Sequence, residues 1–155
     1  MKKLLLALVM GCSMSVSASY AKDTSSNISS NTSKYTSLDI KELVTTIAER
    51  HHVPFDLAHA VIYVESKYNP NVMGQKGEYG LGQIRCGTAK SMGFKGKCEE
   101  LHDAKNNLEY SMAYLRYALD QTDNDICKAA SYYGSGLIPK SNKTAYCRKI
   151  LDNLN

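Results

Sequence analysis

The chain has no tryptophan, only two phenylalanines and three prolines, no C-x-x-C pair and no run of basic residues. Internal repeats are absent, and the alternation of apolar and polar residues that marks a half-buried strand is scarce. Each absence closes a class. Without C-x-x-C spacing a structural zinc site is not expected. Lys and Arg exceed Asp and Glu only by 19 to 15, and with no basic run nucleic acid is not an expected partner. His51, His52, His59 and His102 show no spacing that suits a ligand set, so neither metal nor cofactor is expected. The missing strand signals leave an all-α, mostly helical domain, and 155 residues suffice for one such domain, not two.

Two of the excess basic residues, Lys2 and Lys3, stand before the short apolar run "LLLALVM", and small residues follow at Ser19 and Ala21. Residues 1–21 therefore read as a secretory signal, too short and Ser-rich for a membrane span. Cys12, in "VMGC", offers the alternative of a lipid-anchored protein. Both readings place the folded part outside the cytoplasm, in the periplasm. Residues 22–36, "KDTSSNISSNTSKYT", hold too little apolar surface to offset ordering entropy and read as a flexible segment. The folded domain is expected over residues 37–155, as a monomer. Without Cys12, four cysteines remain: Cys86, Cys98, Cys127 and Cys147. An even number in an exported chain suggests two disulfides. Of three possible pairings, the short-range one, Cys86–Cys98 with Cys127–Cys147, is expected; four buried thiols are the alternative.

Helical patterns fill the domain. Ile40, Leu43 and Ile47 share one face, with Asp39 and Glu42 as a capping pair, and "HHVP" ends that helix. Asp56 to Ser66 is apolar almost all round, which predicts a central buried helix. The longest helix is expected from Asp103 to Leu119, with Leu108, Met112, Leu115 and Leu119 at helical spacing. Shorter helices are predicted from Thr88 to Met92, across "DNDICKAASYY", and from Asn142 to Leu154 with Tyr146 inward. The count is six or seven.

Glu65 closes the apolar run "LAHAVIYV" and precedes five glycines, Gly74, Gly77, Gly80, Gly82 and Gly87. Val61 and Ile62 lie one turn back on its helical face. Desolvation there disfavours the carboxylate and raises its pKa, which suits a general acid. In isolation the plainer reading is a helix-end acid that reaches water or pairs with Lys67. The neighbourhood changes this. Glu65-Ser66, Asn69-Pro70, Gly77, Gly80-Leu81-Gly82-Gln83 and Thr88-Ala89, followed by "NNLEYSMAYLRYAL" and "AASYYGSG", resemble the catalytic domain of soluble lytic murein transglycosylases, a lysozyme-like family. The likeness covers about residues 40–150.

The resemblance implies a lysozyme-like fold and cleavage of the β-1,4 bond between N-acetylmuramic acid and N-acetylglucosamine in peptidoglycan glycan strands. It implies that Glu65 protonates the leaving oxygen and then takes the C6 hydroxyl proton, so that a 1,6-anhydro end forms without water. Ser66, Gly80, Gln83 and Tyr133 would serve substrate binding, with Tyr132 in place of Tyr133 if the register slips by one. The glycines would let backbone amides approach the glycan. With no tryptophan, any stacking on sugar falls to the eleven tyrosines. The chain also departs from the family: Gly82 stands where Met is usual, Gly74 where Ser is, Glu78 where Ala is, and Gly134 where Asn is. Glu78 reads first as a solvated loop charge; the alternative is a possible second carboxylate, which would suit a lysozyme-type hydrolase. A non-catalytic peptidoglycan-binding assembly protein is the alternative of another class. Small exported relatives suggest secretion or pilus machinery as a further partner.

Overall fold

Thr36 and Asp39 start the first helix with a reciprocal cap. The Thr36 hydroxyl accepts from the Asp39 amide at 3.2 Å, and the Asp39 carboxylate accepts from the Thr36 amide at 2.8 Å. The cap thus sits upstream of the expected Asp39–Glu42 pair, because Asp39 supplies the acid of the box and a hydroxyl three residues earlier supplies the cap. The structure, a computed structural model, describes residues 35–140 and 144–154. The expected signal sequence, Cys12, most of the Ser/Thr/Asn-rich segment and the Asn142 start of the last helix lie outside the described residues.

Six α-helices and one 3₁₀ turn follow among the described residues, and this is the expected helical architecture. Helix α1 runs Ser37–Arg50 and α2 runs Phe55–Ser66. Leu57, Ala58, Ala60, Val61 and Ile62 of α2 are fully buried, which is why a segment apolar all round ends up at the centre. The helix stops at Lys67, whose φ of 51° is left-handed, and Tyr68 at 62° continues the sharp turn. Strands β1 (Glu78–Tyr79) and β2 (Ile84–Arg85) then form a small antiparallel hairpin, Glu78 facing Arg85 and Tyr79 facing Ile84. Helix α3 (Cys86–Ser91) follows directly, and the 3₁₀ turn Cys98–His102 leads into α4 (Ala104–Asp120). Asp103 caps α4 by accepting from the Asn106 amide at 3.0 Å. Helices α5 (Ile126–Ser135) and α6 (Ala145–Leu151) complete the fold, capped by Asp125 and Thr144.

The main core joins α1, α2, α4, α5 and α6 through Val44, Ile47, Val61, Leu108, Met112, Leu115, Ala130 and Ile150. A second, smaller core of Ile84, Ala89, Phe94 and Leu101 supports the hairpin from below. Each core carries one disulfide. Cys86–Cys98 ties the start of α3 to the 3₁₀ turn, with Cα atoms 5.4 Å apart. Cys127–Cys147 ties α5 to α6, with Cα atoms 4.9 Å apart. This is the expected short-range pairing.

Thiol titration of the denatured, unreduced protein lacking residues 1–21 should find no free thiol; four would overturn the pairing. The Cys127–Cys147 bridge spans 20 residues of sequence. Replacing both partners by serine should cost about 3 kcal/mol of stability, read from urea unfolding.

Candidate active site

The end of α2 places Glu65 one residue before the helix stops, with the apolar faces of Val61 and Ile62 one turn back. The C-terminal end of a helix carries partial negative charge, so a carboxylate there is disfavoured before any neighbour is counted. The Tyr146 hydroxyl, reaching across from α6, donates a short hydrogen bond to Glu65 Oε1. Oε2 makes no hydrogen bond among the described residues. Burial is the largest influence on the Glu65 carboxyl and pushes it above the ordinary carboxylate range. The Tyr146 bond pulls it down, the charge of Glu78 pushes it up, and the charge of Lys149 pulls it down. Tyr146 itself is held well above its usual value by burial and by the adjacent Glu65, so its phenol keeps the proton it donates.

Glu65 lines a cleft of about 710 Å³. Lys76, Glu78, Gln83, Ile84, Arg85 and Thr88 come to it from the hairpin side, and Tyr114, Tyr133, Gly134, Ser135 and Gly136 from the α4–α5 side. Asn107 of α4, fully buried, holds the hairpin in place. Its Oδ1 accepts from the Gly82 amide at 2.8 Å, and its Nδ2 donates to the carbonyls of Tyr79 at 2.6 Å and Leu101 at 2.8 Å. Two glycines make this approach possible. Gly80 has a φ of 60°, and a Cβ there would lie 2.7 Å from Asn107 Nδ2. A Cβ on Gly82 would collide with the Ser111 side chain and lie 2.7 Å from the Tyr133 hydroxyl. The Gly82 carbonyl accepts from that hydroxyl at 2.6 Å, which joins the hairpin to α5.

The expected site residues separate into two groups. Glu65, Gln83, Tyr133 and Glu78 line one cleft; Ser66, Gly80 and Tyr132 do not. Ser66 is 7% exposed and its hydroxyl donates back to the Ile62 carbonyl at 3.1 Å, so it finishes the helix. Gly80 is buried, as the first residue of the hairpin turn. Tyr132 turns to the tyrosine cluster, its ring 6.0 Å from Tyr114 and 6.1 Å from Tyr117. Gln83 directs its amide at the loop, donating to the carbonyls of Val72 at 3.1 Å and Gly80 at 2.9 Å. The Tyr133 hydroxyl is engaged by Gly82, and burial together with the Glu65 charge pushes it far above the ordinary phenol range.

Glu78 is held from three directions. Oε1 accepts from Arg85 Nε and Nη2, each at 3.0 Å, and Oε2 accepts from the Lys76 amide at 3.0 Å. Desolvation alone would raise its pKa, but the Lys76 amide and the Arg85 guanidinium outweigh it and hold the carboxyl below the ordinary range. The two carboxylates that border the cleft are therefore pushed in opposite directions. Gly74 leaves room for this, since a Cβ there would overlap Glu78 Oε2 and lie 2.8 Å from Gln83 Oε1. Sequence reasoning missed Tyr146 as the partner of Glu65. The one signal for it is the neighbouring Cys147, because the disulfide to Cys127 anchors α6 at that point. Among the described residues no group of three His, Cys, Asp or Glu is placed to hold a metal ion.

Residues 42–153 match the Transglycosylase SLT domain. The chain is 30% identical over 83 residues to the membrane-bound lytic murein transglycosylase E of Buchnera aphidicola, covering 49% of this chain and 38% of that protein. It is 31% identical over 108 residues to the membrane-bound lytic murein transglycosylase F of Pseudomonas syringae, covering 64% of this chain and 21% of that protein. The chain thus spans less than half the length of these relatives. Among solved structures, the 70 kDa soluble lytic transglycosylase from Escherichia coli superposes with a TM-score of 0.60 at 25% identity, over 75% of this chain and 19% of that one. A complex of the 70 kDa soluble lytic transglycosylase with bulgecin A gives a TM-score of 0.58 at 27% identity, over 72% of this chain and 18% of that one.

Because folding raises the Glu65 pKa, the native state holds this proton more tightly than the unfolded chain. Its contribution to stability is fully present below the ordinary Glu value of about 4.3 and is lost as pH rises through the raised one. A carbon-13 titration of the Glu65 carboxyl should show the raised value, and Tyr146→Phe should raise it further. A downward shift in Tyr146→Phe would contradict the assigned role of the phenol.

Proposed function

The chain belongs to the Transglycosylase SLT domain family, and we propose that it is an exported lytic transglycosylase of peptidoglycan. Its bond would be the β-1,4 link between N-acetylmuramic acid and N-acetylglucosamine. The observation that carries this reading is one half-buried carboxyl with a raised pKa, facing a cleft of about 710 Å³ and held by a protonated phenol. Glu65 gives its proton to the leaving glycosidic oxygen as the bond to C1 breaks. The C6 hydroxyl of the muramic residue then attacks C1, and the Glu65 carboxylate takes the hydroxyl proton. A bond from C1 to O6 replaces the bond from C1 to the leaving oxygen, no water is consumed, and Glu65 ends protonated as it began.

A group that acts first as acid and then as base works best with a pKa near the operating pH. Burial and Tyr146 supply the two opposing influences. Burial makes Glu65 a willing holder of the proton, and the Tyr146 bond stabilises the carboxylate that exists between the two transfers. On the family resemblance we extend the proposal to wall opening beside a secretion or pilus apparatus.

Glu65→Gln keeps the shape and the Tyr146 acceptor but has no proton to give. It should fold and lose activity on purified sacculi by at least about 10²-fold, the lower end of what general acid–base catalysis contributes. Mass spectrometry of wild-type digests should find 1,6-anhydro ends. Reducing ends would instead identify a hydrolase, and the absence of any product a binding protein. The alkaline limb of kcat/KM should lie above the ordinary Glu value and move up in Tyr146→Phe.

A further inference from the structure

Glu78 does not stand in the cleft as a free acid, and what it holds is more informative than its charge. The hairpin register puts Glu78 opposite Arg85. Two of the guanidinium nitrogens, Nε and Nη2, converge on the single oxygen Oε1. An arginine has five N–H donors, and Nη1 makes no hydrogen bond among the described residues. The Arg85 side chain remains 54% exposed while lining the cleft. The other carboxylate oxygen fixes the Lys76 backbone through its amide. The Lys76 ammonium forms no ion pair among the described residues, and Lys76 lines the same cleft. One carboxylate therefore fixes two cationic residues beside the cleft and neutralises only one of them. Gly74, without a side chain, leaves the space in which this carboxylate lies.

We propose that Lys76 and Arg85 form a carboxylate-binding subsite that selects glycan strands carrying stem peptides, with Glu78 as the residue that positions it. This rests on the reading that the cleft takes a peptidoglycan strand. In an intact strand the lactyl group of muramic acid is tied up as an amide, so the available carboxylates belong to the stem peptide. The free edge of the Arg85 fork suits a planar carboxylate, and Lys76 adds a point charge beside it. Glu78 is then a strut for Arg85.

Three substrates separate the sources of the charge: intact sacculi, sacculi whose carboxylates are capped as methylamides with a carbodiimide and methylamine, and strands stripped by an amidase so that only lactyl carboxylates remain. Wild-type protein should show the highest kcat/KM on intact sacculi, and that preference over the capped ones should shrink as salt is raised. Lys76→Ala and Arg85→Ala should each reduce the preference by about fivefold, the upper range for an exposed ion pair. Arg85→Lys should retain part of it. Glu78→Gln should reduce the preference through KM for intact sacculi and not through kcat. Stripped strands that match intact ones while capped sacculi fall behind would assign the subsite to the lactyl carboxylate and overturn the peptide selection. Equal wild-type rates on all three substrates, or a preference unchanged in both alanine variants, would overturn the subsite alone. A wild type inactive on all three would overturn the transglycosylase reading and the subsite with it. A Glu78→Gln protein that is folded but has lost kcat on every substrate, with the alkaline limb of its pH profile unmoved, would make Glu78 catalytic and end its role as a strut.

Discussion

Partly burying one carboxyl group at the end of a central helix is the constraint around which this domain is arranged. A carboxylate at a helix C-terminus, against Val61 and Ile62, is disfavoured by the helix dipole and by lost hydration together. Among the described residues no direct ion pair cancels this. There Glu65 receives one hydrogen bond, from Tyr146, and the more distant charges of Lys149 and Glu78 act in opposite senses. A buried ion pair would have held the group ionised. A phenol stabilises the anion without fixing it, because the donor is neutral and its own proton is secured by burial. The requirement then passes outward. Tyr146 must stay in register with Glu65, and the next residue, Cys147, is bonded to α5. The disulfide thus contributes to placing the acid as well as to stability.

The hairpin meets a different demand, which is close approach. Asn107 satisfies three backbone groups from within α4, and it can do so because Gly80 and Gly82 present no side chain where its amide and Ser111 lie. A buried amide with its partners satisfied fixes a backbone more firmly than apolar packing does, since displacement would leave polar groups unpaired. Gly82 stands where the family resemblance gives a methionine. Here that position is buried, and its carbonyl takes the Tyr133 hydroxyl. The bare Gly82 position thus serves the join between the hairpin and α5.

The helical fold and the disulfide pairing were legible in the chain because they rest on local signals. Helical spacing placed α2 and α4 within a residue or two, and loop length favoured the right cysteine pairs. Glu65 was legible for the same reason: an acid at the end of an apolar run is a local conflict. Tyr146 was not, because an inward-facing tyrosine on a short last helix looks the same whether it meets a leucine or a carboxylate. The choice between Tyr132 and Tyr133 was open in the sequence, since adjacent residues on a helix differ by about 100° and only packing against Tyr114 and Gly82 decides which faces the cleft. Ser66 shows the opposite case. The family resemblance gave it to substrate binding, and here its hydroxyl bonds the carbonyl four residues back, that of Ile62, as a serine at a helix end readily does.

The two carboxylates that border the cleft show why counting acids does not identify a mechanism. One raised and one lowered pKa is the pattern of a two-carboxylate glycosidase, where an acid faces an ionised partner that attacks the sugar or activates water. Glu65 and Glu78 fit that pattern by their pKa directions alone. The contacts of Glu78 argue the other way. A carboxylate that activates water must be basic enough to take its proton, and Glu78 is made less basic by the hydrogen bonds and charge that hold it down. Both of its oxygens already accept N–H groups of Arg85 and Lys76. What lowers the Glu78 pKa also takes up three of its four lone-pair sites, so the features that complete the two-acid pattern are the ones that make Glu78 a poor second catalyst and a good anchor for a cation.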